Sequence, residues 1–285
     1  MARIDALSIE LATTGKDKLA EEYGKVIENI ATGTLSSVFA NKDLSGDPTS
    51  GTVEAKRFVN VTGNAYGTAR AGGKAAKVKA EPVVIAINDN KEYIEEVEEK
   101  DLMMYGVNGL IERRTANHQD GLAVELDTKF FAEACDAGSS IEIPSSVTDI
   151  ADELELAIQT VETVKNDFVQ GVPRNLIEIV ATPETFGKLR NKININASNS
   201  ANLAQLSNYE EGIFNNAKIY SNVFLPAGTE YIVMVKGSVA QPVRTSIYSP
   251  EKIGLSDATA FGLFAYKGTK AVMSDLIFVK ESGAE

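Results

Sequence analysis

A chain of 285 residues, 44% hydrophobic and 24% charged, has ordinary globular composition and lies near the size where one hydrophobic core stops growing, so one large domain or two sharing a boundary is expected. The 28 Lys and Arg against 40 Asp and Glu leave a net charge of −12, which excludes a protein whose whole surface grips nucleic acid but leaves room for a local basic patch. Cys135 is the only cysteine, which excludes an intrachain disulfide, and no apolar run approaches the roughly 20 residues of a membrane-spanning helix. The opening MARIDALSIELATTGKDK lacks the apolar core of a signal peptide, so a soluble protein made in a reducing cytoplasm is expected.

Residues 19–30 place Leu19, Tyr23, Val26, Ile27 and Ile30 at helical spacing, with Glu21, Glu22, Lys25 and Glu28 opposite, and predict a short amphipathic helix. The stretch from Gly33 to Thr52, rich in Ser, Gly, Asp and Pro, reads as an extended connection. Val53, Ala55, Arg57, Val59 and Val61 then alternate with Glu54, Lys56, Phe58 and Asn60, a strand with neither side cleanly apolar. A return strand runs from Val78 through Ile87, and Pro82 marks it as an exposed edge, because proline has no N–H for a ladder bond. The segment between them, GTARAGGKA, has little to bury. A two-stranded ribbon alone is marginal in water, so something outside it must hold it down.

The spacing predicts helix over 91–136, with Tyr93, Val97, Met104, Val107, Ile111, Leu122, Leu126 and Phe130 near one stripe. Gly106, Gly109 and Gly121 interrupt it; either the helix bends there or GVNG is a turn between two helices. A helix at about 151–170 carries Leu154, Ile158, Val161, Val164 and Phe168, and the strand LIEIVA follows. Thr182 and Pro183 supply an N-cap and a first-turn proline for a helix ending near Leu189. After an Asn/Ser/Ala-rich loop at 194–208 come strand candidates at 217–221, 230–235, 243–248, 261–267 and 271–280. The class is α+β.

Signals of catalysis are weak. In GTARAGGKA, Gly67 and Gly72 match the spacing of a phosphate-binding loop, but Gly73 stands where the lysine belongs, and Lys74, one place late, is followed by Ala75 instead of a hydroxyl residue that would hold magnesium. His118 is the only histidine, so any triad or histidine-rich metal site would have to use it, and its place by the apolar stripe predicts a packed, hydrogen-bonded side chain. Cys135 reads as a small buried residue rather than a nucleophile. No enzyme activity, metal or cofactor is expected.

Charge is the informative feature. Between residues 53 and 80, Lys56, Arg57, Arg70, Lys74, Lys77 and Lys79 stand against Glu54 alone, a net of +5. Between 91 and 101, Glu92, Glu95, Glu96, Glu98, Glu99 and Asp101 stand against Lys91 and Lys100, a net of −4. Two independently solvated faces explain this as well as a contact between copies, in which Arg70, Lys74, Lys77 and Lys79 of one chain meet Glu95, Glu96, Glu98 and Glu99 of the next.

The Gly-rich connection, then EAKRFVNVTGNAYGTARAGGKAAKVKAEPVVIAIN, then EEVEEKDLMMYGVNGLIERRTANHQDGLAVELDTKFFAEA, resembles the extended loop and spine helix of tailed-bacteriophage major capsid proteins with the Hong Kong 97 fold. The likeness is clearest over about residues 50–136. It implies an N-terminal arm at 1–50, an extended β-hairpin loop at 51–88, a peripheral domain with the spine helix at 89–150 and 243–285, and an axial domain at 151–242. It also implies self-assembly into hexamers and pentamers of an icosahedral head around double-stranded DNA, which is enclosed without sequence-specific binding, in a virion put together in the bacterial host cytoplasm. Portal and decoration proteins are partners of the family, and with only about 18 residues before the first predicted helix, scaffolding is either a separate protein or not needed. An encapsulin-type compartment of the same fold, or an unrelated binding module or hydrolase with an edge hairpin, are the alternatives.

Overall fold

The computed structural model describes residues 34–46, 51–61, 63, 65–67, 78–98, 107–195, 211–254, 256 and 258–282. The predicted helix at 19–30 lies outside them. The connection expected after Gly33 contains a one-turn helix, α1 (Leu35–Phe39), whose Phe39 is buried, followed by β1 (Leu44–Ser45). Periodicity cannot reveal a helix of five residues. Its N-cap, Thr34, does not cap the first turn with its side chain; Asp127, far along the chain, accepts from the amide of Ser36 at 2.8 Å and caps α1 instead.

The predicted ribbon is present as β2 (Thr52–Phe58) and β3 (Ala80–Ala86), antiparallel, with Arg57 opposite Glu81. The expectation of helix from residue 91 is overturned: Asp89–Val97 is a strand, β4. Tyr93 and Val97 are four apart, and a step of four keeps one side chain above another on a helix and on the same face of a strand alike. The described helix is α2 (Val107–Ala137), with Asn108 and Gly109 inside it; Gly106 and the rest of 99–106 lie outside the described residues. Leu122, Leu126 and Phe130 form its buried stripe, as expected.

Gly138 ends α2, and a Cβ there would press on the methyl groups of Ile277 and Val279; only glycine allows the chain to turn directly into β5 (Ser139–Ser140). Asp149 caps α3 (Ile150–Glu162), accepting from Ala151 N–H at 3.1 Å. This helix stops eight residues short of the predicted end. Asn166 competes for the backbone, its side-chain oxygen accepting from the amides of Phe168 and Val169, and folds Lys165–Gln170 into a small hairpin. A 3₁₀ turn at Arg174–Leu176 leads into β6 (Ile177–Ala181). Thr182 and Pro183 then start α4 (Pro183–Ile195), with Thr182 Oγ1 accepting from Thr185 N–H.

The remaining strands are β7 (Glu211–Phe214), β8 (Ala217–Ser221), β9 (Thr229–Val235), β10 (Val239–Ala240), β11 (Val243–Lys252), β12 (Thr259–Lys267), β13 (Lys270–Ala271) and β14 (Ile277–Glu281). The span predicted as one strand at 271–280 is split by a 3₁₀ turn at Ser274–Leu276. β7 has no counterpart among the strand candidates. It is a four-residue strand, joined to β8 by Asn215 and Asn216, both at positive φ, as a two-residue hairpin turn requires.

The principal sheet has six strands in the order β5-β14-β9-β6-β8-β7. Its alternating side chains feed two cores. Ile177, Ile179, Ile219, Tyr231 and Val233 pack with Leu154, Ile158, Phe186 and Leu189 of α3 and α4 on one face. On the other, Val180, Tyr220, Ile232, Met234 and Ile277 pack with Phe39 of α1 and Phe130 and Phe131 of α2. A second sheet, β11-β12-β4, covers the earlier part of α2, and the third, β1-β2-β3, carries the ribbon. β10 and β13 form a short two-stranded sheet beside the ribbon's root.

Candidate inter-subunit surface

The ribbon is not without a core of its own. Its inner face buries Val53 and sets Ala55 and Ile85 against Ala240 and Val272, and β1 adds a third strand. The outer face presents Lys56, Phe58, Pro82 and Val84 to solvent, with Phe58 57% and Val84 45% exposed. Between Asn60 and β3 every described residue is exposed, including Val61, Tyr66 and Val78. β3 is the free edge of its sheet, as Pro82 indicated, and the Lys270 ammonium donates to the Val84 carbonyl at 3.2 Å. Proline and lysine are devices that discourage indiscriminate edge pairing. Of the basic residues singled out above, Lys79 is exposed, and Arg70, Lys74 and Lys77 lie outside the described residues.

The acidic stretch is sorted by strand alternation. Glu95 turns inward with Tyr93 and Val97, whereas Glu92, Ile94, Glu96 and Glu98 are exposed; Glu99 lies outside the described residues. Register across β4 and β12 sets Glu92 beside Phe264, Ile94 beside Gly262 and Glu96 beside Ala260. The outer face of this sheet is therefore a band of Ile94, Phe264 and Tyr266 bordered by carboxylates. Helical periodicity would not have separated Glu95 from Glu96 this way.

Inward, the same sheet meets α2 through buried charge. Glu95 is bound by both the Arg114 guanidinium, with Nε at 2.5 Å, and His118 Nε2 at 3.3 Å. Its carboxyl is held below the usual range by the Arg114 hydrogen bonds, which outweigh burial. His118, 3% exposed, packs between Tyr93 and Phe261, the packed helix histidine expected from sequence. Further along α2, fully buried Lys267 sits 2.6 Å from Glu125, which also pairs with Lys91 at 3.2 Å and accepts from the Tyr93 hydroxyl. Burial pushes the Glu125 carboxyl up, and Lys267 and Lys91 bring it below its ordinary value. Tyr93 is pushed up to about 12 by burial and by Glu125. No signal in the sequence tied Lys267 to Glu125, which lies in a distant part of the chain.

Two other features bear on possible chemistry. Thr34, Ala40, Leu44, Leu122, Leu126 and Val243 help to line a cleft of about 380 Å³ where the described chain begins. Cys135 lies half-buried with its Sγ 3.5 Å from the Thr229 hydroxyl, and burial raises its thiol pKa, the reverse of what a nucleophile needs. Among the described residues no cluster of His, Cys, Asp and Glu is arranged to hold a metal ion, and no helix is long and apolar enough to cross a membrane.

No family model and no curated protein matches the chain by sequence. Solved structures do. A chain of Mycobacterium phage Che8 is similar with a TM-score of 0.61 and 18% identity, over 81% of this chain and 84% of that one. The capsid structure of cyanophage P-SCSP1u gives a TM-score of 0.65 at 14% identity, over 89% of each chain. This chain has the fold of tailed-phage major capsid proteins. The capsid-protein fold extends here to a virus-like particle from Pyrococcus furiosus, with a TM-score of 0.55 at 12% identity over 90% of this chain and 96% of that one. The ribbon and the acidic sheet face are thus parts of a fold whose solved examples include phage capsids.

Proposed function

We propose that this protein is the major capsid protein of a tailed bacteriophage, a structural component rather than an enzyme, that assembles with copies of itself into an icosahedral head around double-stranded DNA. The observation that carries the reading is a capsid-protein fold matched over most of both chains, whose ribbon exposes apolar side chains that no described residue covers. Isolated apolar side chains on a surface need no explanation, but Phe58, Val61, Tyr66, Val78 and Val84 all fall on one projecting element. In this reading the N-terminal arm spans 1–50, the extended loop 51–88, the peripheral domain 89–150 and 243–285 with α2 as its spine, and the axial domain 151–242.

The contact between copies sets the ribbon of one subunit on the band of Ile94, Phe264 and Tyr266 of the next. Arg70, Lys74, Lys77 and Lys79 then meet Glu96 and Glu98, with Glu92 taking the place that strand geometry denies to Glu95, and Glu99 following in sequence. Each exposed ion pair contributes only about 0 to 1 kcal/mol. In a closed ring the same contact repeats at every subunit, so small gains accumulate. A net charge of −12 suits a container that must hold DNA without adhering to it.

The test is electron microscopy of the purified protein beside a variant lacking Ala65–Ala76. Closed shells are expected from the intact chain. Loop shortening alters chain closure by under about 1 kcal/mol, so the variant should stay folded yet sediment as monomers or small rings. Normal shells from the shortened protein would refute the role of the ribbon. The likeness to a virus-like particle favours one second reading, a cargo compartment, which would show shells that hold protein instead of DNA.

A further inference from the structure

The ribbon leaves the subunit at a fastened joint. Arg57, the next-to-last residue of β2 and 14% exposed, makes a two-pronged ion pair with Asp275 at 2.5 and 2.8 Å. Its guanidinium lies over the ring of Phe168, 4.2 Å from the centroid. Asn166 donates to the same Asp275 carboxylate. Three residues beyond Arg57, the Asn60 amide donates to the Asp167 carbonyl at 2.9 Å and the Asn60 side chain donates to the Phe168 carbonyl. Burial pushes the Asp275 carboxyl up, but Arg57 and Asn166 together hold it below the ordinary range, so it stays charged at neutral pH.

We propose that this joint is a latch that aims the ribbon, with Arg57 as its positioning residue. The partners come from two elements remote from the ribbon: the 3₁₀ turn before β14 and the Lys165–Gln170 hairpin. That hairpin is itself stiffened, because the Asn166 side chain accepts from the amides of Phe168 and Val169 while its amide nitrogen reaches Asp275. On the root side, Val53, Ala55 and Ile85 are packed; past Asn60 the described residues are all exposed. The latch therefore sits at the fulcrum between a packed root and a projecting lever. A bidentate arginine pair stacked on an aromatic ring fixes direction as well as distance, which a single lysine contact would not. An arm held at one angle before it meets a partner also loses less freedom on docking. The consequence for assembly rests on the proposed role of the ribbon, whereas the latch itself does not.

Hydrogen exchange on the intact chain tests both separately. Arg57→Ala should speed exchange of the Val59 and Asn60 amides and of β3 by roughly ten- to a hundredfold, the loss expected for charged hydrogen bonds, while β6 and β9 keep their protection. Phe168→Ala, which leaves the ion pair, should give a smaller rise, and Arg57→Lys should fall between wild type and Arg57→Ala. Particles of Arg57→Ala should vary in diameter where wild type is uniform. Unchanged exchange in the ribbon would overturn the latch. So would a uniform loss of protection across the ribbon and the six-stranded sheet, since Arg57 would then merely support the fold. If wild type forms no shells but the exchange pattern appears as described, the latch stands and the capsid reading falls.

Discussion

β6 and β3 are strands of similar length with opposite fates. All five residues of β6 are buried, because helices cover both faces of the six-stranded sheet. In β3 only Ile85 is buried, because one face of the ribbon packs on the subunit and the other is exposed among the described residues. The contrast teaches that this chain divides its apolar residues between two tasks. One set offsets the entropy lost in folding, and the other, in the proposed assembly, meets a neighbouring copy.

The sharpest way to break the comparison is to make the same kind of truncation in both places. Ile179→Ala, in the core between β6 and α3, should destabilise the subunit by about 2–5 kcal/mol in urea or thermal unfolding. Phe58→Ala on the ribbon should shift it by no more than about 0.5 kcal/mol. A large loss at Phe58 would mean that the ribbon belongs to the subunit core. Between these extremes lies Gly262, where a Cβ would collide with the Tyr93 carbonyl and crowd Ile94. Gly262→Ala should force β4 away from β12 and cost about 1–3 kcal/mol, measured by unfolding. It should also disturb the face that bears Glu92 and Glu96, so assembly should suffer more than that figure suggests.

Asp127→Ala removes the cap of α1 and should cost about 1 kcal/mol. Limited proteolysis should then cut near residues 35–40 sooner than elsewhere in the described chain.

Acid sharpens the comparison from another side. Glu95, Glu125, Glu155, Glu162 and Asp275 all have depressed carboxyl pKa values: Arg114 holds Glu95 and Arg174 holds Glu162, while at Glu125, Glu155 and Asp275 lysine or arginine partners outweigh burial. A carboxyl whose folded pKa is depressed lends stability that is present above its unfolded value, 4.5 for Glu and 3.8 for Asp, and is lost as pH falls through the lower folded value. Asp127 runs the other way, because burial raises its pKa. Thermal midpoints should thus be flat from pH 7 to about 5 and fall below about 4. The decline should be shallower in an Arg174→Met variant, which gives up its pairs with Glu155 and Glu162 beforehand. The smallest effect on the subunit belongs to the pair Phe58→Ser and Val84→Ser. Circular dichroism and the midpoint should barely change, yet shell yield should drop, and an unchanged yield would leave the outer face of the ribbon without a role.

Much of this architecture was legible in the sequence where neighbours in the chain are also neighbours in space. Thr182 and Pro183 announced α4, Pro82 announced an edge, and Leu122, Leu126 and Phe130 named the stripe of α2. The short apolar run expected as a strand at 217–221 is β8, with the same bounds. Local chemistry failed where two periods coincide or where the partner is distant. Tyr93 and Val97 satisfied both helix and strand. α1 is capped by a residue 91 positions beyond Ser36, and no window reaches that far. The inter-subunit candidates split for the same reason: the run of glutamates was plain, but only strand alternation put Glu95 against Arg114 and left Glu96 outside.

By itself, then, the sequence determined the α+β class, the ribbon, its basic charge and the acidic stretch that follows, since periodicity, turn residues and net charge are local properties. The order β5-β14-β9-β6-β8-β7, the burial of Lys267 on Glu125 and the fastening of Arg57 to Asp275, 218 residues away, were decided only in three dimensions. Each depends on which surfaces close over one another, and the free energy of such closure comes from water excluded between distant segments, a quantity that no stretch of sequence carries alone.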